Sequence, residues 1–205
     1  MSISRSRAKV YVETDTKVTF DVAEAPSRGV RSLQTGGASG AGPSWSGPSS
    51  NQTCAAEPGD VLLQTDRPVL LVPPGIRRLK AARVLVAWKD TRKARRAMQD
   101  ALPLLRHAER VRVLAICEGQ EEMDSAGSGA VDVARFLLRQ SVGAEGHAHH
   151  GDGAAAAQLL RAAREWGADF IVAGSYGHAR MREWAFGGVT HDLLRQRKLC
   201  CLLSH

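Results

Sequence analysis

Short apolar runs alternate with amphipathic segments from residue 81 to the end of the chain. The stretch RVLVAW at 83–88 is an apolar run of the kind that a strand buried on both faces of a sheet requires. Residues 94–105 then repeat apolar side chains at helical spacing, and Pro103 is expected to kink the last turn of that helix. The alternation predicts right-handed crossovers and an α/β domain, with an open parallel sheet covered by helices on both faces.

The remaining elements of this domain follow from the same pattern. A glycine-rich break through Gly129 is expected to precede the second helix, and the third strand is the weakest of the five. Residues 81–205 are therefore predicted to hold a five-stranded sheet. We predict further strands at 111–117, 144–149, 170–173 and 199–203, and further helices at 131–141, 153–166 and 189–197.

The first 80 residues differ in composition from the rest. Residues 1–57 include a Gly, Ser and Pro mixture that cannot bury enough apolar area to order itself, so we expect a low-complexity or poorly ordered segment. Alternation at 9–22 suggests a hairpin, which is marginal in isolation. Residues 58–80 form a connecting segment, and its apolar run between two prolines suits an extra edge strand near 68–72.

Composition and charge narrow the class of protein. The chain has 205 residues, of which 43% are hydrophobic and 24% charged, and this fits one ordinary globular domain. No apolar run follows the first basic residues and none is long enough to span a bilayer, so a cytoplasmic protein without membrane association is expected. The net charge of +7 does not by itself favour nucleic acid, because no aromatic residues alternate with the basic ones to stack on bases.

The loop between the fourth strand and the fourth helix carries the clearest ligand signal. Gly174 and Gly177 follow the strand, and Gly187 and Gly188 stand immediately before the helix. Glycines let backbone N–H groups approach an anion, and the first turn of a helix presents unpaired donors and a partial positive charge. Because ligands of open parallel sheets bind at the carboxyl ends of the strands, a phosphate is expected here.

In this loop the chain resembles the universal stress protein family. The nucleotide loop of that family is Gly, two residues, Gly, nine residues, then Gly followed by Ser or Thr, and Gly174, Gly177 and Gly187 keep this spacing. The segment ARVLVAWKDTRKARRAMQDALPLLRHAERVRVLAI resembles the family's opening strand, helix and second strand, so the resemblance covers residues 81–205. It implies the strand order 3-2-1-4-5 and a regulatory module that binds an adenine nucleotide, ATP, in stress response.

The resemblance also implies which residues contact the nucleotide. Ala87 and Ile116, at the ends of the first two strands, would be walls of the adenine pocket. ATP-binding members carry an acidic residue where this chain has Lys89, and Asp90 either substitutes for it or caps the following helix. Gly188 stands where those members have Ser or Thr, which leaves backbone donors in place of a hydroxyl. The phosphates would lie over Gly174, Gly177, Gly187, Gly188 and Val189, and Arg180 and Thr190 are the remaining predicted cofactor-binding residues.

A second resemblance concerns RPVLLVPPG at 67–75. It is similar to the last strand of a universal stress protein domain and the linker into a second copy, which implies a tandem pair whose first copy is mostly missing or replaced. Family members pair their fifth strands across a dimer. The resemblance therefore implies either pairing of 69–72 with 199–203 within the chain, or a homodimer through the same edge.

Histidines and cysteines offer two competing signals. His147, His149 and His150 would suit either a metal or an exposed polar edge, and the edge is favoured because no carboxylate or cysteine completes a ligand set. Cys200 and Cys201 are neighbours on one strand, so their side chains point to opposite faces. They are predicted to be two separate core thiols rather than an oxidant sensor.

Three functions are compatible with these residues. The glycine spacing favours a nucleotide-binding regulatory module, whereas Gly188 and Lys89 favour an interaction or dimerisation module of the same family that has lost its ligand. Arg180 would contact a phosphate in the first case and remain solvated in the second. An enzyme, such as a nucleotide-using transferase or hydrolase, has the least support, because the sequence shows no Walker lysine motif, serine elbow or paired carboxylates in the crevice.

Overall fold

The structure is a computed structural model of the 205-residue chain. It describes residues 9–14 and 19–24 by their backbone, and residues 62, 67–73, 76, 79–175, 188–196 and 198–204 with their side chains. The strands within this part of the chain are β1 (Lys9–Thr14), β2 (Thr19–Glu24), β3 (Val69–Val72), β4 (Arg83–Trp88), β5 (Arg110–Cys117), β6 (Ala144–His150), β7 (Phe170–Gly174) and β8 (Cys200–Ser204). The helices are α1 (Arg92–Leu105), α2 (Met123–Arg139), α3 (Ala155–Trp166) and α4 (Gly188–Arg195), and a 3-10 turn at Gln120–Glu122 precedes α2.

The last five strands confirm the predicted parallel sheet. They lie in the order β6-β5-β4-β7-β8, and each neighbouring pair is parallel. In the numbering of the predicted domain this is the order 3-2-1-4-5. The helices alternate with these strands, so every connection crosses over a face of the sheet, as the sequence pattern requires.

Both faces of the sheet are buried, which explains the continuous apolar runs. Val84 and Val86 of β4 enter the core beneath α1 and α2, while Leu85 between them enters the core beneath α3 and α4. All three side chains are buried. Burying one such side chain contributes about 1.5–3 kcal/mol, so apolar side chains at successive central positions of the strand stabilise both cores.

The segment predicted as an edge strand lies inside the sheet. β3 pairs antiparallel with β8 on one side and with β1 on the other, and β2 pairs antiparallel with β1 to complete the hairpin suggested by the sequence. Pro68 and Pro73 flank the four paired residues, so they remove no hydrogen bond from the ladder. The prediction of an edge strand is therefore wrong, because the β1–β2 hairpin pairs with the outer side of β3.

Within the described residues, the last strand, β8, pairs with β3 of the same chain. Leu70 of β3 lies opposite Leu202 of β8, so 69–72 pairs with the last strand inside the chain, which is one of the two arrangements expected. β8 thus has a neighbour on both sides. A homodimer through this edge would require β3 to leave it.

Helix α2 begins earlier than predicted. The expected break through Gly129 is helical, because α2 starts at Met123. A Cβ at Gly129 would lie 3.7 Å from Nε1 of Trp88, an ordinary contact distance, so this part of α2 packs beside the end of β4. Tertiary packing here overrides the low helix propensity of glycine.

The two adjacent cysteines of β8 lie in different cores, as predicted. Cys200 packs in the core beneath α1 and α2, whereas Cys201 packs beneath α3 and α4. Burial, with the charge of Asp169 as the smaller cause, raises the pKa of the Cys200 thiol to about 11. Burial also raises the pKa of Cys201 well above its usual value.

These thiols should resist alkylation in the native protein. At neutral pH a thiol with a pKa of about 11 is ionised to about one part in ten thousand, and the thiolate is the reactive form. We expect Cys200 and Cys201 to remain unmodified by iodoacetamide in buffer and to be fully modified in denaturant, as read by peptide mass spectrometry. Rapid native labelling at either position would contradict the packing described above.

Candidate functional site

The strand order places a switch point between β4 and β7. From β4 the chain continues to β5 and β6 on one side, and β7 and β8 lie on the other side. Connections that leave the carboxyl ends of two such strands diverge to opposite faces, and ligands of doubly wound sheets bind in the resulting crevice. The candidate site is therefore the carboxyl end of β4, β5 and β7.

The two predicted walls of the adenine pocket lie on the same face of the sheet. Ala87 of β4 is the register partner of Leu114, which is two residues before Ile116 on β5. Ala87 and Ile116 are both half-buried and pack against the core beneath α3 and α4. The structure thus places both positions near the carboxyl ends of neighbouring strands.

Gly174, the last residue of β7, lies against the start of α1. A Cβ at this position would lie 2.7 Å from the backbone nitrogen of Ala94 and 2.8 Å from the carbonyl carbon of Lys93. No side chain fits in that space without a shift of helix backbone. The glycine therefore has a packing role that the sequence did not reveal, and it brings the loop after β7 next to the first turn of α1.

Two roles were predicted for Asp90, a nucleotide contact and the cap of α1, and the residues after β4 show which residue caps the helix. Thr91 caps α1, because its Oγ1 accepts a hydrogen bond of 3.2 Å from the backbone N–H of Ala94. Asp90 instead forms an ion pair with Arg95. Lys89 lies 3.8 Å from Glu118 in a second exposed pair. Exposed pairs of this kind contribute about 1 kcal/mol or less, so they hold these side chains only weakly.

A polar network below Gly174 was missed by the sequence analysis. The backbone N–H of Ser175 donates to the carbonyl of Ser204 at 2.6 Å, and the hydroxyl of Ser204 donates to Oδ2 of Asp100 at 2.5 Å. Arg96 reaches the same carboxylate oxygen at 3.4 Å. Asp100 reads in the sequence as one polar position of an amphipathic helix, so nothing marked it. The network fixes the start of the loop to the ends of β7 and β8.

Helix α4 begins at the same end of the sheet. It runs from Gly188 to Arg195 and is followed within a few residues by the amino end of β8, so its own amino end lies at the carboxyl ends of the strands. A Cβ at Gly188 would meet no described atom within 4 Å, whereas Val189 packs against the core and Thr190 is buried. Among the other predicted site residues, Gly177, Arg180 and Gly187 lie outside the described residues.

Neither a membrane span nor a metal site is found in the described part of the chain. None of its helices combines the length and the apolar character that crossing a bilayer requires. No three or more of its His, Cys, Asp and Glu side chains are grouped so that they could hold a metal ion.

The fold and the position of its loops define a doubly wound α/β protein with its glycine-rich connection at the switch point. The sequence profile of the Universal stress protein family matches residues 81–202, which is more than half of the chain. The chain belongs to this family. Comparison with the curated proteins gave no match.

The chain is similar to solved structures of universal stress proteins. A universal stress family protein from Burkholderia pseudomallei is 23% identical, with a TM-score of 0.47 over 60% of this chain and 95% of that chain. The universal stress protein UspA from Lactobacillus plantarum is 15% identical, with a TM-score of 0.49 over 62% of this chain and 100% of that chain. A universal stress protein family protein from Arabidopsis thaliana, solved with AMP bound, is 13% identical, with a TM-score of 0.43 over 60% of this chain and 90% of that chain.

Proposed function

We propose that this chain is a regulatory module of the stress response, located in the cytoplasm, that binds an adenine nucleotide, ATP, at the carboxyl ends of β4, β5 and β7. One observation carries the proposal. Helix α4 starts with Gly188 at this end of the sheet, and the space where its side chain would be meets no described atom within 4 Å.

The start of α4 supplies the phosphate contacts in this proposal. The first N–H groups of a helix have no partner within the helix, and together with the helix dipole they favour an anion. Gly188, Val189 and Thr190 carry those first N–H groups. Because the side chain of Thr190 is buried, the backbone rather than this hydroxyl would contact the phosphate.

The strand ends supply the contacts for the rest of the nucleotide. Ala87 and Ile116 offer a half-buried apolar surface for the adenine ring on one face of the sheet. Asp90 stands at the start of α1, and its exposed pairing with Arg95 is weak enough to be exchanged for a sugar hydroxyl. The loop that begins at Gly174 connects these two parts of the site.

A second candidate function is an interaction module that binds no nucleotide. It is favoured by the ion pair of Asp90 with Arg95 and by the presence of Lys89 beside it, because both reduce the acceptor groups available to a sugar. In that case the geometry of the crevice would serve packing alone, as the contact of Gly174 with α1 does.

Thermal unfolding with added nucleotides tests the proposal. A ligand present at 100 times its dissociation constant stabilises the native state by about 2.7 kcal/mol, which raises Tm by about 5–10 °C for a chain of this size. We expect such a rise with ATP, ADP or AMP, and a smaller rise with GTP as a purine control. Unchanged Tm with all three adenine nucleotides would favour the interaction module, and time-dependent product formation would favour an enzyme.

A further inference from the structure

Three arginines surround Trp166 at the amino ends of β4 and β5, which is the end of the sheet opposite to the candidate nucleotide site. The Cζ atoms of Arg83, Arg112 and Arg110 lie 5.0, 4.7 and 5.9 Å from the centre of the Trp166 ring. Arg83 and Arg110 are the first residues of their strands and are register partners. We call Arg83, Arg110, Arg112 and Trp166 the arginine cluster, and the sheet register fixes its geometry.

One carboxylate lies within the arginine cluster. Nε and Nη2 of Arg112 both donate to Oε1 of Glu145, at 2.9 and 2.7 Å, and Nη2 of Arg110 lies 3.7 Å from the same oxygen. Partial burial acts to raise the pKa of Glu145, but Arg112 and then His147 outweigh it and hold that pKa below its usual value. The carboxylate is therefore ionised at neutral pH, with Oε1 bound by Arg112 and Oε2 lying 3.5 Å from Nε2 of His147.

The positive charge of the arginine cluster exceeds this one carboxylate. Arg83 forms no ion pair with any residue that the structure describes, and its Nε is buried there without a hydrogen-bond partner. The carboxylate of Asp169 lies at the start of β4, where its two oxygens accept hydrogen bonds from the backbone N–H groups of Ala82 and Arg83. Arg110 keeps 58% of its side chain exposed and reaches Glu145 only at a long distance.

The contacts favour a carboxylate over a nucleic acid as the partner of this charge. Trp166 is buried, with only 7% of its surface exposed, so it is not available for a base to stack on. The cations converge on one ring instead of following a line of phosphates. Glu145 shows that a carboxylate is bound at this position, because two donors of Arg112 converge on its Oε1. Guanidinium groups are well suited to carboxylates in general.

We propose that the arginine cluster is a docking point for an acidic polypeptide segment of a partner protein, whose carboxylates are bound by Arg83 and Arg110 beside Glu145. β4 has six residues, so at about 3.3 Å per residue the cluster lies on the order of 20 Å from the nucleotide site. An acidic partner would therefore bind without blocking the nucleotide, and the two sites are tested separately.

Fluorescence anisotropy with a fluorescein-labelled poly-glutamate peptide tests this docking point. The exposed side chain of Arg110 permits charge reversal without opening the core, so the informative variant is Arg110→Glu. The matched control is Arg135→Glu, an equal change of charge at an exposed residue of α2 on the other face of the sheet. We expect Arg110→Glu to weaken peptide binding about fivefold or more, and Arg135→Glu to change it by less than about twofold.

Further measurements distinguish weaker docking from a loss of folding and from an effect of net charge alone. Arg110→Gln should weaken the peptide in the same direction, and both Arg110 variants should keep the Tm and the nucleotide response of the unaltered chain. Equal weakening by Arg110→Glu and Arg135→Glu would overturn the proposal, because net charge alone would then explain binding. It would also be overturned by no binding of poly-glutamate, or by tighter binding of a single-stranded oligonucleotide of equal charge.

Discussion

Replacement of Gly174 by alanine is expected to destabilise the protein by about 1–3 kcal/mol. The added Cβ would lie 2.7 Å from the backbone nitrogen of Ala94 and 3.0 Å from the carbonyl oxygen of Lys93. These are backbone atoms, so they cannot rotate away as a flexible side chain would, and α1 must shift from β7. Chemical denaturation read by circular dichroism measures the loss, provided that the slope with denaturant is unchanged.

The matched control for this change is Gly143→Ala. A Cβ at Gly143 would meet nothing within 4 Å, and the residue lies in the turn before β6. We expect a change within about 0.5 kcal/mol there, which is ordinary for an exposed substitution. Equal stability of Gly174→Ala and the unaltered chain would show that α1 does not rest on β7 as described.

A shift of α1 should also reach the candidate site. Thr91 caps this helix and Asp90 precedes it, so both move with its first turn. Gly174→Ala is therefore expected to weaken adenine nucleotide binding as well as stability. The double effect arises because one glycine packs the helix and also begins the loop.

The last five strands could be predicted because burial on both faces leaves a long apolar run in the sequence, whereas their order in the sheet was implied by the resemblance to the family. β4 is apolar at every position after Arg83, and β7 is apolar from Phe170 to Ala173. The place of β3 could not be predicted in the same way. Its neighbours are β8 and β1, which lie far away in sequence, and the flanking prolines are equally consistent with an edge.

The start of helix α2 could not be predicted from the local sequence pattern either. Gly127 and Gly129 lower helix propensity, so the sequence predicts a break there. In the fold both glycines face the sheet, where a Cβ would approach Ala148 and Trp88 respectively. The information that makes this segment helical lies in strands β4 and β6 and not in the segment itself.

The position of the candidate site in the sheet could be predicted, but the long-range contacts that hold its residues in place could not. The switch point follows from topology, so Ala87, Ile116 and Gly174 are found at one end of the sheet. The contact of Gly174 with Ala94 joins residues about 80 positions apart, and the hydrogen bond of Ser204 to Asp100 joins residues 104 positions apart. No periodicity or spacing within one element can indicate such pairs.

Replacement of Gly188 by glutamate is expected to reduce adenine nucleotide affinity about tenfold or more, while the fold becomes no less stable. A carboxylate in the first turn of a helix interacts favourably with the helix dipole, by about 0.3–1 kcal/mol. The same charge repels a phosphate bound at that turn. Isothermal titration with ATP, combined with a melting curve without ligand, separates the two effects because they have opposite signs.

The variant Gly188→Ser provides a second test of whether phosphate binds at the start of α4. Space at Gly188 is open to a Cβ, so a hydroxyl can be added without a described clash. If phosphate lies over α4, one further hydrogen bond should raise affinity about threefold or more, since such a bond contributes about 0.5–1.5 kcal/mol. Should Gly188→Glu and Gly188→Ser both bind ATP like the unaltered chain, the start of α4 would not be the phosphate site, and the proposed nucleotide function would lose its main physical support.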